Sequence, residues 1–181
     1  MKKLIGHHKN PDSNIEILVN WDIKFEYIEF EFSVKNLTNF HTCDEYTDNF
    51  RENSGLWDYD VVEIFISRNQ FTPYLELQLS PKEQPFALLI NIPRKETAFP
   101  QNLNTESEKI TNNPWVSKFK IPLSDIPGSG NILYGNCFSC LGSGKTRSYY
   151  ALNINSEDGP DFHRPDLFIE FGKILGDVSE R

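Results

Sequence analysis

No segment of the sequence carries apolar residues at three-and-four spacing over a helical length, whereas one run after another alternates apolar and polar residues with a period of two. Residues 27–34 are the plainest case: Ile28, Phe30, Phe32 and Val34 are set to face one way, as in a half-buried strand. Residues 15–19, 61–66, 74–80, 115–123, 133–141, 148–154 and 167–174 also read as strands, and residues 86–92 are a further apolar run stopped by Pro93. These make about nine strands with no helical patterns between them. That excludes βαβ architectures and leaves an all-β antiparallel sandwich or barrel. Residues 67–73 supply a turn that makes the strands on either side an antiparallel hairpin. Residues 36–55 and 94–113 are polar and aperiodic and read as long loops, and Ser124 is placed to cap a single helical turn.

With 181 residues the chain is expected to form one domain, 1–181, large enough to bury a core without disulfides. The formal charge is −8 and the basic residues are scattered, which argues against a nucleic-acid partner, since phosphate binding wants a basic face. Cys137 and Cys140 lie three apart on one expected strand, on opposite faces and too far apart to bond; with Cys43 they read as three reduced thiols. The basic start lacks the apolar core of a signal peptide and no stretch reads as a membrane span. The expectation is no membrane association and a cytoplasmic protein, or a secreted one if an export signal has been removed.

Residues 56–67 join an aromatic-acidic loop to the most β-prone run of the chain. Glu63 interrupts that run, and a carboxylate there either points to water or points into a recessed face, where it needs donors. Fully extended, Trp57 and Glu63 would stand about 20 Å apart, so only a turn at residues 58–60 brings them to one site. The bland alternative is a core Trp57 and a solvated Glu63. Asp44, Asp58 and Asp60 read either as solvated loop acids or as ligands of a calcium ion, which takes its oxygens from loops. Nucleophile-elbow, zinc-protease and phosphate-loop motifs are absent; residues 142–146 carry only the tail of a Walker sequence and read as a hairpin turn. A hydrolase built on Glu63 and Glu76 is the least favoured reading, because the two lie on different strands and are not expected to converge. Between two prolines, Phe162, His163 and Arg164 offer a ring to stack and two groups that donate hydrogen bonds; a turn closed by an Asp–Arg pair would use the same residues.

Four motifs in order, Leu56-Trp57-x-x-Asp60-x-Val62-Glu63-Ile64-Phe65-Ile66, Tyr74-x-Glu76-x-x-x-Ser80-Pro81, Asn136-x-Phe138 and Asp161-Phe162-His163-Arg164-Pro165-x-x-Phe168, resemble the family 9 carbohydrate-binding modules and the wider DOMON-like group. The resemblance implies an immunoglobulin-like β-sandwich that binds a sugar or sugar chain end, without catalysis, between aromatic side chains, commonly with structural calcium. By position it implies that Trp57 is the first stacking aromatic and Glu63 the carboxylate that accepts from sugar hydroxyls. Gln78 falls near a polar residue that reaches the sugar, and Phe162 stands where the second aromatic is usually Trp. Gly159 replaces a hydrogen-bonding side chain of sugar-binding members. The group also contains haem-binding domains that use a Met ligand; Met1 is the single Met here, so haem is not expected. The alternative within the group is a structural or protein-interaction domain that has lost sugar binding.

Overall fold

The period-two segments become strands because each alternation gives one apolar edge to bury. A computed structural model describes residues 1–7, 9–10, 14–154 and 160–174. Gly159 lies outside the described residues. The strands are β1 (Lys2–Lys3), β2 (Ile5–Gly6), β3 (Glu16–Ile23), β4 (Tyr27–Lys35), β5 (Val61–Ser67), β6 (Tyr74–Leu79), β7 (Pro85–Ile92), β8 (Glu96–Ala98), β9 (Glu106–Asn112), β10 (Trp115–Pro122), β11 (Ile132–Leu141), β12 (Ser148–Ala151) and β13 (Ile169–Lys173). They form two antiparallel sheets. One runs β1-β3-β4-β10-β9 and the other β2-β12-β11-β5-β6-β7-β8, with β13 paired to β11 alongside β12. The all-β sandwich expected from the pattern is the observed architecture. No helix among the described residues is long and apolar enough to cross a membrane.

The main core lies between the sheets. Ile28, Phe30, Phe32 and Val34 of β4 meet Val62, Ile64 and Ile66 of β5 and Leu75, Leu77 and Leu79 of β6, all buried. Each such side chain contributes roughly 1.5–3 kcal/mol on burial. The two sheets differ on their far faces. The five-stranded sheet turns Glu29, Glu31, Lys118 and Lys120 outward, in cross-strand pairs of opposite charge such as Lys118–Glu31 at 3.3 Å. The larger sheet buries its outer face too: every residue of β5 and β6 is buried, and Phe65, Tyr74 and Phe138 form a second cluster, Val61, Phe86 and Cys140 a third. This double coverage is why Glu63 sits inside a continuous β-branched run.

Several boundaries differ from the sequence reading. The stretch 94–113 is not a loop throughout, since it contains β8 and β9; β9 is mostly exposed at a sheet edge, so its alternation has no apolar side to reveal it. Ser124 does not cap the turn after β10. It lies inside a 3-10 turn, Leu123–Asp125, whose preceding residue is Pro122. Residues 36–55 do form a loop, latched by the wholly buried Asn53: its amide donates to the carbonyls of Thr47 and Pro85, and its oxygen accepts the Thr47 N–H. The three cysteines are free, with Cys137 facing the main core and Cys140 the opposite face of β11.

Candidate ligand-binding site

Strand parity decides what reaches the outer face of the larger sheet. With the odd leucines of β6 committed to the core, Tyr74, Glu76 and Gln78 must point the other way, as must Val61, Glu63 and Phe65 of β5. Glu63 stands directly opposite Gln78 across the ladder, and Phe65 opposite Glu76. Above them opens a cavity of about 630 Å³, a size that suits a small ligand. Trp57, Glu63, Gln78, Phe162 and His163 all line it.

The bland reading of Trp57 and Glu63 is inverted. Trp57 keeps 38% of its surface exposed, whereas Glu63 keeps 2%. The 3-10 turn Leu56–Asp58 brings them together, anchored by buried Leu56 and started by Gly55, whose positive φ of 90° suits a residue without a side chain. Trp57 meets Phe86 edge-on at 5.6 Å. Phe162 lies flat on Phe138, centroids 4.2 Å apart, and meets Tyr149 edge-on.

The floor is acidic and short of donors. Gln78 Nε2 donates to Glu76 Oε1 at 2.7 Å, and the Cys140 thiol donates to Glu63 Oε1 at 3.5 Å. Glu76 Oε2 and Gln78 Oε1 are buried with no hydrogen-bond partner in the protein, an arrangement that costs about 1–3 kcal/mol per group. Burial pushes the Glu63 carboxyl up to about 7. Burial, reinforced by the charge of Glu63, pushes Glu76 up to about 8. The two carboxyls therefore converge on one cavity, contrary to the expectation from their separate strands. His163 shares a 2.7 Å hydrogen bond between its Nδ1 and the Tyr74 hydroxyl, and its Nε2 lies 4.0 Å from Glu76 Oε2. Burial, with the charge of Arg94, holds this imidazole below its usual range.

Other residues sit differently from the sequence reading. Arg164 lies outside the cavity lining and forks onto Asp166 through bonds of 2.9 and 2.8 Å, the turn-closing Asp–Arg pair. Asp44 is exposed and paired with Lys82. Asp60 is buried, its two oxygens accepting the backbone N–H groups of His41 and Gly142 at 2.8 and 2.6 Å. Asp58 alone of the three lines the cavity. Among the described residues no three His, Cys, Asp or Glu side chains are grouped to hold a metal ion.

Two arginines of the lining were not anticipated. Arg94, on the turn after β7, pairs with Asp161 at the cavity mouth. Arg147 donates to the carbonyls of Tyr59 and Gly142 at 3.0 and 2.9 Å and also to those of Asp58 and Trp57, with its guanidinium over the Tyr149 ring. Parity with Glu63 was the signal available for Glu76 and Gln78; for Arg147 there is none, because the three carbonyls that tie it to the Trp57 turn lie about 90 residues away.

Relatives of known sequence and structure place the chain. It is 32% identical over 136 residues to the UPF0462 protein C4orf33 homolog of Mus musculus, a match covering 68% of this chain and 67% of that one. The chain belongs to the UPF0462 family. The homolog of Danio rerio is 34% identical over 124 residues, covering 65% of this chain and 61% of the relative; the human protein is 31% identical, covering 67% and 64%. The chain thus spans a little under two thirds of the zebrafish relative's length. No family model matches it. Among solved structures, a protein of Bacteroides uniformis provisionally described as carbohydrate-binding superposes with a TM-score of 0.70 at 17% identity, covering 92% of this chain and 83% of that one. A family 9 carbohydrate-binding module of Caldicellulosiruptor kristjanssonii in complex with cellotriose gives 0.62 at 15% identity, covering 98% and 86%. The fold is the one these modules share.

Proposed function

We propose that the chain is a non-catalytic carbohydrate-binding protein that takes a sugar or sugar chain end in the cavity bounded by Trp57 and Phe162. The observation that carries this reading is the pairing of a half-exposed Trp57 with buried oxygens of Glu76 and Gln78 that lack partners in the same cavity. A sugar ring supplies what is missing, since its C–H face packs on an aromatic ring while its hydroxyls donate to carboxyl and amide oxygens. The shared fold of the family 9 modules supports it. Intrinsic fluorescence tests it, because Trp57 borders the cavity whereas Trp115 is buried in the core. A saturable change with a mono- or oligosaccharide, measured with calcium and with chelator and lost in Trp57→Ala, is the expected result. A folded protein silent to every sugar sinks the reading and leaves a structural or interaction domain on this scaffold.

The convergence of Glu63 and Glu76 favours one second reading, a glycoside hydrolase. Hydrolysis needs two carboxyls flanking the scissile bond, whereas these rise side by side from adjacent strands of one floor. Turnover of a chromogenic glycoside, abolished in Glu63→Gln, would establish it.

A further inference from the structure

The floor of the cavity is built for more than hydroxyl groups. Two buried carboxyls face one ligand space, and the oxygens next to them are acceptors as well. The cations in reach are already engaged. Arg94 is paired with Asp161, and Arg147 is spread over four backbone carbonyls. His163 has one nitrogen bound to the Tyr74 hydroxyl, and burial favours its neutral form. A buried carboxyl pair without its own cation is stabilised either by protons or by a positive group brought from outside. The Trp57 ring, half-exposed at the mouth, leaves room for the rest of a sugar.

We infer that the preferred ligand is an amino sugar, its ammonium group seated between Glu63 and Glu76 and donating to Glu76 Oε2 and Gln78 Oε1. This rests on the carbohydrate reading above and names its ligand class. An ammonium carries three donors and a full charge, matching a floor of acceptors that a neutral hydroxyl only partly satisfies. Because the carboxyls hold protons in the empty cavity, the incoming ammonium displaces them. In the pH range where the amine is charged, binding therefore releases protons to the buffer. The groups facing the pair and able to alter that balance are Cys140, Tyr74 and His163, with the charges of Arg147, Arg94, Asp58 and Asp161 on the same cavity wall.

Isothermal titration of the intact protein with glucosamine, glucose and N-acetylglucosamine, slightly below neutral pH, tests this. Glucosamine is expected to bind at least about tenfold more tightly than the other two, with heats in two buffers of different ionisation enthalpy showing net proton release for glucosamine alone. Glu76→Gln should erase the preference, so that in the variant glucosamine binds within about threefold of glucose. Equal affinity for the three, or no proton release, overturns the inference and leaves the carbohydrate reading standing. Silence to all three in the folded protein overturns the inference, and the carbohydrate reading falls with it only if a wider panel of mono- and oligosaccharides is silent as well. The proton count is made on the wild type, so a poorly folding variant does not decide the matter.

Discussion

Gln78 donates its side-chain N–H to Glu76 Oε1 at 2.7 Å, two residues back on the same face of the same strand, and each of the pair is left with one buried oxygen unpaired. The bond fixes the direction of both oxygens toward the cavity before any ligand arrives. The charge of Glu63 acts on Glu76 directly, so the two carboxyls titrate together.

That titration gives stability a definite slope with pH. In the unfolded chain both carboxyls ionise near 4.5, and in the folded protein near 7 and 8, so between these limits the folded state holds more protons. Their contribution to stability is complete below 4.5 and is lost as pH rises through the folded values, at up to about 1.4 kcal/mol per pH unit for each group. Melting temperature measured from mildly acidic to mildly alkaline buffer should fall, and Glu76→Gln should flatten the curve. A wild-type melting temperature that rises over this interval as steeply as in the variant would refute the burial argument.

Phe162 offers a smaller platform than an indole would. Stacked on Phe138 and bordering the cavity, it can be enlarged without a new partner for its inner face. Phe162→Trp should tighten sugar binding by about 0.5–1.5 kcal/mol, or roughly two- to tenfold. Weaker binding in calorimetry would show that the cavity lacks room at that wall.

Arg147 holds the turn that carries Trp57. A lysine keeps the charge but cannot fan out over four carbonyls. Arg147→Lys should cost about 1–2 kcal/mol in denaturant unfolding and shift the Trp57 emission to the red. An unaltered spectrum with unaltered stability would mean that the carbonyl contacts hold nothing in place.

Gly135 lies on β11 directly against β5. A Cβ there would stand 2.0 Å from the Phe65 carbonyl oxygen and 2.5 Å from the Phe171 ring. Gly135→Ala should destabilise the sandwich by about 1–3 kcal/mol or more, with near-wild-type stability contradicting the packing of these strands.

Period-two alternation made the strands legible wherever one face was apolar, as in β4 and β10. It failed at β9, where both faces are mostly exposed, and at β1 and β2, two residues each, too short to show a period. Trp57, Glu63, Gln78, Phe162 and His163 were found because motif order places them. Arg164 was not separable from them in sequence: whether a loop arginine turns to the ligand or to Asp166 depends on the path of the chain at Pro165, which forms a 3-10 turn. Arg94 and Arg147 stayed hidden because most of their partners are remote, and Glu63 and Glu76 converge because the register of β5 against β6 puts both on the outer face of neighbouring strands.

The first residues of the chain bind both layers. Lys2 and Lys3 pair with Val19 and Leu18 in one sheet, Ile5 and Gly6 pair with Ala151 and Tyr150 in the other, and buried Leu4 is the only residue between. At that edge the two sheets are tethered by one residue, so fraying one strips bridges from the other. Hydrogen exchange should report the two layers opening there as one cooperative unit, with amides of Val19 and Ala151 exchanging together.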